Sequence, residues 1–564
     1  MDKHIAFITY ETPYAPGGGI AAVMAHLPQA IQSVSQVPTF VITPFHFNLE
    51  KTTRLEPEMH SIATLEINFN SLLITVDVKT FYDVVSWIFL KPQIHKSLSD
   101  PFFAGERHPY DIPSVDSDGQ SNLLRDALFF GKATSAALTE ICRDCSWTVL
   151  LQDWEAATYV LHLAQNSPID FIQPSYLTLH NTYDSGLSRT LLAEASLDKL
   201  TSEGNTVLEA ALPQVQDPVF TVSDQFALDL SAEIFQSKIM IPHIVEQLEP
   251  RLYGINNGPF INRQIPEKVF QAGLDGDIGP LSEWKKIKRA LALKIIDEFS
   301  PTLDESIWGD ITKFTHADLP WFVMAGRDDT RQKGYELASL AIDNFLMDDG
   351  QACFFFFPIP GDEGLKGLKF IEELTEKYPS QVLCFPFLFR EGFFPIMQGA
   401  SYGLMPSYYE PFGMANEYFL NGLSCIGRAT GGIIQQIVPY LDAASFSSAV
   451  SSRSVRWHSP NSNPTGFLFR EKDGIESALH DWKAINAADY STKQPGINRL
   501  EEREKLILVN EIKNEMSTCI NDAVSLFESD REKYLELIIN GAQYISEKFS
   551  WEMTAQKYIE KLSI

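Results

Sequence analysis

Short, uninterrupted apolar runs alternate with segments of helical periodicity in both halves of the chain. In the first half, Ile5 to Thr9, Trp147 to Leu151, Tyr176 to Leu179 and Val219 to Ser223 read as strands. In the second half, Trp321 to Ala325, Cys353 to Phe357, Val382 to Phe385, Gly403 to Pro406 and Ser424 to Gly427 read the same way. Runs that are apolar at every position, separated by helices, mark parallel strands buried on both faces. The pattern predicts an α/β protein of two doubly wound domains, with ligands at the carboxyl ends of the strands in a cleft between them. Pro242, Pro250, Gly254, Gly258 and Pro259 cluster near the expected boundary. The domains are placed at 1–250 and 251–545, with a terminal segment at 546–564. Glu267 to Phe299 reads as helical and Ser445 to Asn463 as a loop. Asp489 to Met516 reads as a charged insertion of little chemical interest.

Composition agrees with this architecture. A chain of 564 residues with 45% hydrophobic and 12% aromatic content can bury two large cores. It carries 73 acidic and 45 basic residues, for a net charge of -28. So negative a surface repels nucleic acid and anionic membranes, so any anionic ligand must be held by a local basic pocket. The most apolar window, Ser71 to Leu90, contains Asp77, Lys79 and Asp83 and is not expected to span a bilayer. No signal-peptide pattern opens the chain, and the expected compartment is the cytoplasm, with non-classical secretion left open. Six cysteines are too few for a disulfide framework, and the lone Cys142-Arg143-Asp144-Cys145 pair is not read as a metal site.

Three segments carry chemistry. Gly17-Gly18-Gly19 follows the first strand and feeds a helix with Ile20, Val23, Met24, Leu27 and Ile31 on one face. Such a loop lets backbone N–H groups approach a phosphate, or makes an ordinary turn. Arg327 ends a strand and Lys333-Gly334 opens a helix. Two cations there suit a diphosphate leaving group. The alternative is an Arg paired with Asp328 or Asp329 and a solvated Lys. In Pro406-Ser407-Tyr408-Tyr409-Glu410-Pro411-Phe412-Gly413, Glu410 directly follows a strand. There a carboxylate can hold sugar hydroxyls, or act as a charge partner for a helix N-terminus.

Taken in order, these segments and others resemble the glycogen and starch synthases over nearly the whole chain. Gly18-Gly19-Ile20-Ala21-Ala22-Val23 with Leu27-Pro28 is similar to their G-G-L-A-D-V…L-P. Gln152-Asp153-Trp154-Glu155-Ala156 resembles H-D-W-H-A, and Leu179-His180-Asn181 resembles V-H-N. Thr221-Val222-Ser223, Asn257-Gly258, Arg327…Lys333-Gly334, Glu410-Pro411-Phe412-Gly413, Thr430-Gly431-Gly432, Thr465-Gly466-Phe467 and Phe549-Ser550-Trp551…Tyr558 follow.

The resemblance implies a GT-B fold, with a C-terminal helix crossing back to the N-terminal domain. It implies a retaining, metal-independent hexosyltransferase that uses UDP- or ADP-glucose as co-substrate and needs no other cofactor. Arg327 and Lys333 would neutralise the diphosphate, Glu410 would bind the donor sugar, and His180 would sit by the reacting carbon. Gly18, Gly19, Asn257, Gly413, Met414, Ala415, Thr430, Gly431 and Gly432 would complete the donor site. Asp153 and Trp154 would lie on the acceptor side. The acceptor itself stays open between a carbohydrate, a protein and a small molecule. An inactive nucleotide-sugar-binding regulator is the rival reading.

The chain also departs from the pattern. Pro16 stands where the family's K-x-G-G has its lysine, Ala22 replaces the following Asp, and Gln152 and Glu155 replace the His pair. Related retaining transferases place a ribose-binding Glu eight residues after the first, where this chain has Tyr418. Glu417 lies five residues before Gly422, the related spacing, and is taken as the ribose ligand.

Overall fold

The computed structural model describes all residues except 1–2, 94–99, 104, 142–144, 167–172, 201–204, 301–305, 315–317, 362, 489, 491–497 and 564. Most of the Cys142–Cys145 motif lies outside the described residues. The chain forms two compact units, Met1–Ser231 with Ile241–Phe260 and Ser550–Ile564, and Ala232–Met240 with Ile261–Phe549. Both are α/β, with mainly parallel sheets of the doubly wound kind that the apolar runs predict.

The first unit is built on β1 (Lys3–Ile8), β2 (Thr39–Pro44), β3 (His60–Phe69), β4 (Leu72–Asp83), β5 (Val85–Pro92), β6 (Ser146–Gln152), β7 (Ser175–Leu179), β8 (Val219–Thr221) and β9 (Leu252–Gly254). Their order in the sheet is β3-β4-β5-β2-β1-β6-β7-β8-β9. From β5 to β9 every pairing is parallel, whereas β3-β4 and β4-β5 are antiparallel. The apolar window around Ser71 to Leu90 is therefore a sheet extension. In β4, Val76 and Val78 are buried while the alternate residues Asp77 and Lys79 are less so, the period of a strand with two unlike faces. No described helix is long and apolar enough to cross a membrane.

The final helix, Trp551–Leu562, packs into this first core through Ala555, Tyr558 and Leu562, beside Ile20, Val23, Leu27 and Ile31. Ser550 caps it by accepting from the Met553 N–H. Trp551 Nε1 donates to the Pro259 carbonyl at 2.8 Å, and Thr554 Oγ1 donates to the Asn256 carbonyl at 2.7 Å. A Cβ at Gly258 would lie 2.5 Å from the Trp551 nitrogen, so only glycine admits this approach.

The second unit carries β10 (Trp321–Arg327), β11 (Cys353–Ile359), β12 (Val382–Cys384), β13 (Tyr402–Met405), β14 (Ser424–Arg428) and β15 (Gly466–Phe469). The order β12-β11-β10-β13-β14-β15 is parallel throughout. It reverses direction of growth between β10 and β13, where a doubly wound sheet binds its ligands.

Two expectations are corrected here. Ser445 to Asn463 is not all loop, because Ser447 caps a helix at Ser448–Ser454 by accepting from the Val450 N–H. Asp489 to Met516 is not merely a charged insertion. It contributes a helix at Arg499–Glu504 and the start of Ile507–Ser529, which buries Leu508, Val509, Ile512 and Met516.

Candidate active site

In the second unit the chemistry collects at the carboxyl ends of β10 and β13. Arg327 is the last residue of β10, and the loop after it leads to the helix Tyr335–Met347. Gly334 opens that helix in the left-handed region at φ 68°, and a Cβ there would come within 2.6 Å of the Pro406 carbonyl oxygen. Lys333 is thereby held against the segment that follows β13. Its Nζ lies 2.7 Å from Glu410 Oε2. Ser407 Oγ donates to the same oxygen at 2.9 Å, and Gln332 Nε2 donates to Oε1 at 3.2 Å. Lys333, Ser407 and Glu410 line a cavity of about 20 Å³ together with Ala325, Pro406 and Met414.

The helix Gly431–Gln436 abuts the same carboxylate residue from behind. Gly432 N–H donates to the Glu410 carbonyl at 3.2 Å, and Gly431 adopts φ 47° with Thr430 as an extended N-cap. Met414 caps Ala415–Leu420, whose first turn carries Glu417, and both Glu410 and Glu417 are buried. The structure thus brings Lys333, Glu410, Gly413, Met414, Gly431 and Gly432 to one place. Asp328 is bound by Arg499 at 2.8 Å, and Lys333 sits on Glu410. Asp328 is thus engaged by Arg499, and Lys333 is paired rather than solvated.

In the first unit the residues of interest end β6 and β7. Asp153 follows β6 in the left-handed region at φ 59° and accepts the His180 backbone N–H at 2.6 Å. Gln152 Nε2 donates to the Leu150 carbonyl at 3.2 Å, which turns its Oε1 toward His180 Nε2 at 2.8 Å. His180 therefore carries its hydrogen on Nε2. Burial pushes its pKa down to about 3, so the ring is neutral at physiological pH. Asn257 is buried, its N–H donating to the Val222 carbonyl at 3.3 Å, and Trp154 is buried at the start of the helix after β6.

The glycine loop is a surprise. The N–H groups of Gly17 and Gly18, offered to phosphate by the sequence, donate to Glu11 Oε2 at 3.1 and 2.5 Å. Tyr110 OH donates to Glu11 Oε1 at 3.0 Å. No motif marks Glu11, and Tyr110 arrives from a distant part of the chain. The one legible hint is Pro16, which supplies no cation for a phosphate there.

Burial pushes the Asp153 carboxyl up to about 8, with Glu11 adding to the rise against the stabilising backbone N–H of His180. A folded pKa raised above the unfolded value contributes stability that is full at low pH and is lost as pH rises toward about 8. Asn has no proton to lose and tolerates a left-handed backbone. Asp153→Asn should therefore gain stability relative to wild type as pH rises from about 4 to about 8, by at most roughly 1.4 kcal/mol per pH unit. Denaturant unfolding of both proteins across that range checks this. A constant difference would place the titration elsewhere.

A family model described as the starch synthase catalytic domain matches residues 4–239. The glycogen synthase of Pseudothermotoga lettingae is 23% identical over 454 residues, covering 77% of this chain and 85% of that protein. That of Myxococcus xanthus is 25% identical over 467 residues, covering 78% and 87%. Among solved structures, the catalytic domain of starch synthase IV from Arabidopsis thaliana, bound to ADP and acarbose, superposes with a TM-score of 0.68 at 17% identity. That match covers 100% of this chain and 99% of that one. The fold is of the GT-B architecture, and the relatives matched in sequence are glycosyltransferases. Within that class the chain is glycogen and starch synthase-like.

Proposed function

We propose that the protein is a retaining transferase that moves glucose from UDP- or ADP-glucose to an acceptor, with no metal. The observation that carries this reading is the Lys333–Glu410 pair at the carboxyl ends of β10 and β13, backed by Gly431 and Gly432. Lys333 and Arg327 supply positive charge where the leaving diphosphate develops negative charge. Glu410 exchanges its internal partners for sugar hydroxyls, and amides around Gly413 to Ala415 complete the cradle. Glu417 takes the ribose. His180, neutral and with its Nε2–H spent on Gln152, has only Nδ1 left, which can accept a hydrogen bond from a sugar hydroxyl and brings no charge. Asp153 and Trp154 serve the acceptor. The cytoplasm, where nucleotide sugars are made, is the compartment that this activity calls for.

Metal independence follows from assigning these carboxylates to hydroxyls. Neither D-x-D sequence is among these carboxylates. Asp116 pairs with Arg125 at 2.6 Å, and Asp275 and Asp277 are exposed at a helix end. Incubation with a panel of nucleotide sugars, scoring nucleotide release, should show one donor hydrolysed above background and undiminished by EDTA. Activity abolished by chelation and restored by magnesium or manganese would contradict the metal-free reading.

One observation favours the inactive-regulator reading, namely Glu11 in the amides of the glycine loop. The same panel separates the two, since a regulator binds a nucleotide sugar and releases no nucleotide.

A further inference from the structure

The helix Arg499–Glu504 sends two buried arginines onto the segment that carries Arg327 and Lys333. Arg499 grips Asp328 with both Nη atoms, at 2.9 and 2.8 Å, and donates from Nε to Glu336 Oε1 at 3.0 Å. Arg503 donates from Nε to the same Glu336 oxygen at 3.2 Å and from Nη2 to the Thr330 carbonyl at 2.5 Å. Asp328 is the first residue after β10, Thr330 lies in the middle of the loop, and Glu336 is in the first turn of the next helix. The two guanidinium groups thus tie down the loop at its beginning, middle and end. The Arg503 guanidinium also lies 5.4 Å from the Tyr408 ring centroid, and Tyr408 N–H donates to the Gln332 carbonyl at 2.7 Å. The brace therefore reaches the segment bearing Glu410 as well.

Charge decides what these arginines can do. Two guanidinium groups face two carboxylates, and the side chains of Arg499 and Arg503 are 5% and 1% exposed. Neither is placed to meet a ligand. Burying such a network costs desolvation that a packed apolar cluster would avoid, so its return lies in geometry. Arginine suits this role, because its planar fork fixes two partners at once where lysine fixes a point.

We propose that Arg499 and Arg503 are positioning residues that hold the loop from Asp328 to Glu336 in the shape that receives the donor's diphosphate. This rests on the assignment of Arg327 and Lys333 under the proposed function. A loop held in advance spares the ligand the ordering cost, so loss of the brace weakens diphosphate binding without removing any group that touches it.

The test is calorimetric binding of UDP and of ADP to wild type, Arg503→Ala and Arg503→Lys, with circular dichroism to confirm folding. Arg503→Ala should bind the nucleotide about 30-fold more weakly and Arg503→Lys about 5-fold, in keeping with lost preorganisation. Added guanidinium should restore most of the affinity of Arg503→Ala, because it refills the vacated site between Glu336 and Thr330. If Arg503→Ala does not fold, Arg503→Lys decides alone. Affinity within twofold of wild type in a folded variant overturns the proposal. So does a loss that guanidinium does not restore, since that is general loosening. A wild-type protein that binds neither nucleotide refutes the functional assignment itself, and this inference with it.

Discussion

Replacing Lys333 with alanine is expected to lower kcat/KM for the nucleotide sugar by two to three orders of magnitude while the fold survives. Lys333 is partly exposed, so its removal leaves no large cavity. What is lost is a charge beside the leaving group, on the order of 3–4 kcal/mol of transition-state stabilisation. The effect has a second part. Without Lys333, the buried Glu410 carboxylate keeps only Ser407 and Gln332 as side-chain donors among those described here. Its charge is then poorly compensated, and the contact that holds the carboxylate in place for sugar hydroxyls is lost. Steady-state kinetics with nucleotide release as the readout measures the change. An unaltered rate and donor affinity would remove Lys333 from the site.

Gly431→Ala should be nearly as damaging, by a different route. A Cβ on Gly431 would lie 1.5 Å from the Glu410 carbonyl oxygen, a distance that no side-chain rotation can relieve. The backbone must move, and φ at 47° adds strain for any residue with a Cβ. The nearest backbone is that of Glu410 itself, so the carboxylate moves with it. We expect a loss of transfer of at least about 100-fold, since small misplacements of a reacting constellation cost about that much. A drop in the thermal midpoint should accompany it. Near-wild-type kinetics would mean that the helix Gly431–Gln436 does not position Glu410.

Much of this site was legible because it depends on short-range grammar. Strand, then Arg327, then Lys333-Gly334 describes a strand end and a helix start, and the structure places them there. Glu410-Pro411-Phe412-Gly413 and Thr430-Gly431-Gly432 are likewise local, and glycine is required where the φ values and close approaches demand it. The strands buried on both faces stood out for the same reason, since they are apolar at every position. What escaped was long-range or two-sided. The β3–β4 extension alternates with a period of two, and its apolar residues sit between charges. Glu11 entered the glycine loop without any motif to announce it. Arg499 and Arg503 lay in a segment that reads as a charged insertion of little chemical interest. Their partners, Asp328 and Glu336, lie more than 160 residues earlier in the chain. No spacing rule predicts a pairing that only tertiary structure creates.

Under the proposed function, the protein transfers glucose from a nucleoside diphosphate with retention at the anomeric carbon. Proton NMR of the product, recorded before mutarotation, tests this most directly. Starting from α-linked UDP- or ADP-glucose, an α-configured glucosyl product, or α-glucose released first, is expected. A β-configured first product, or no turnover of any nucleotide sugar by folded protein, would contradict it.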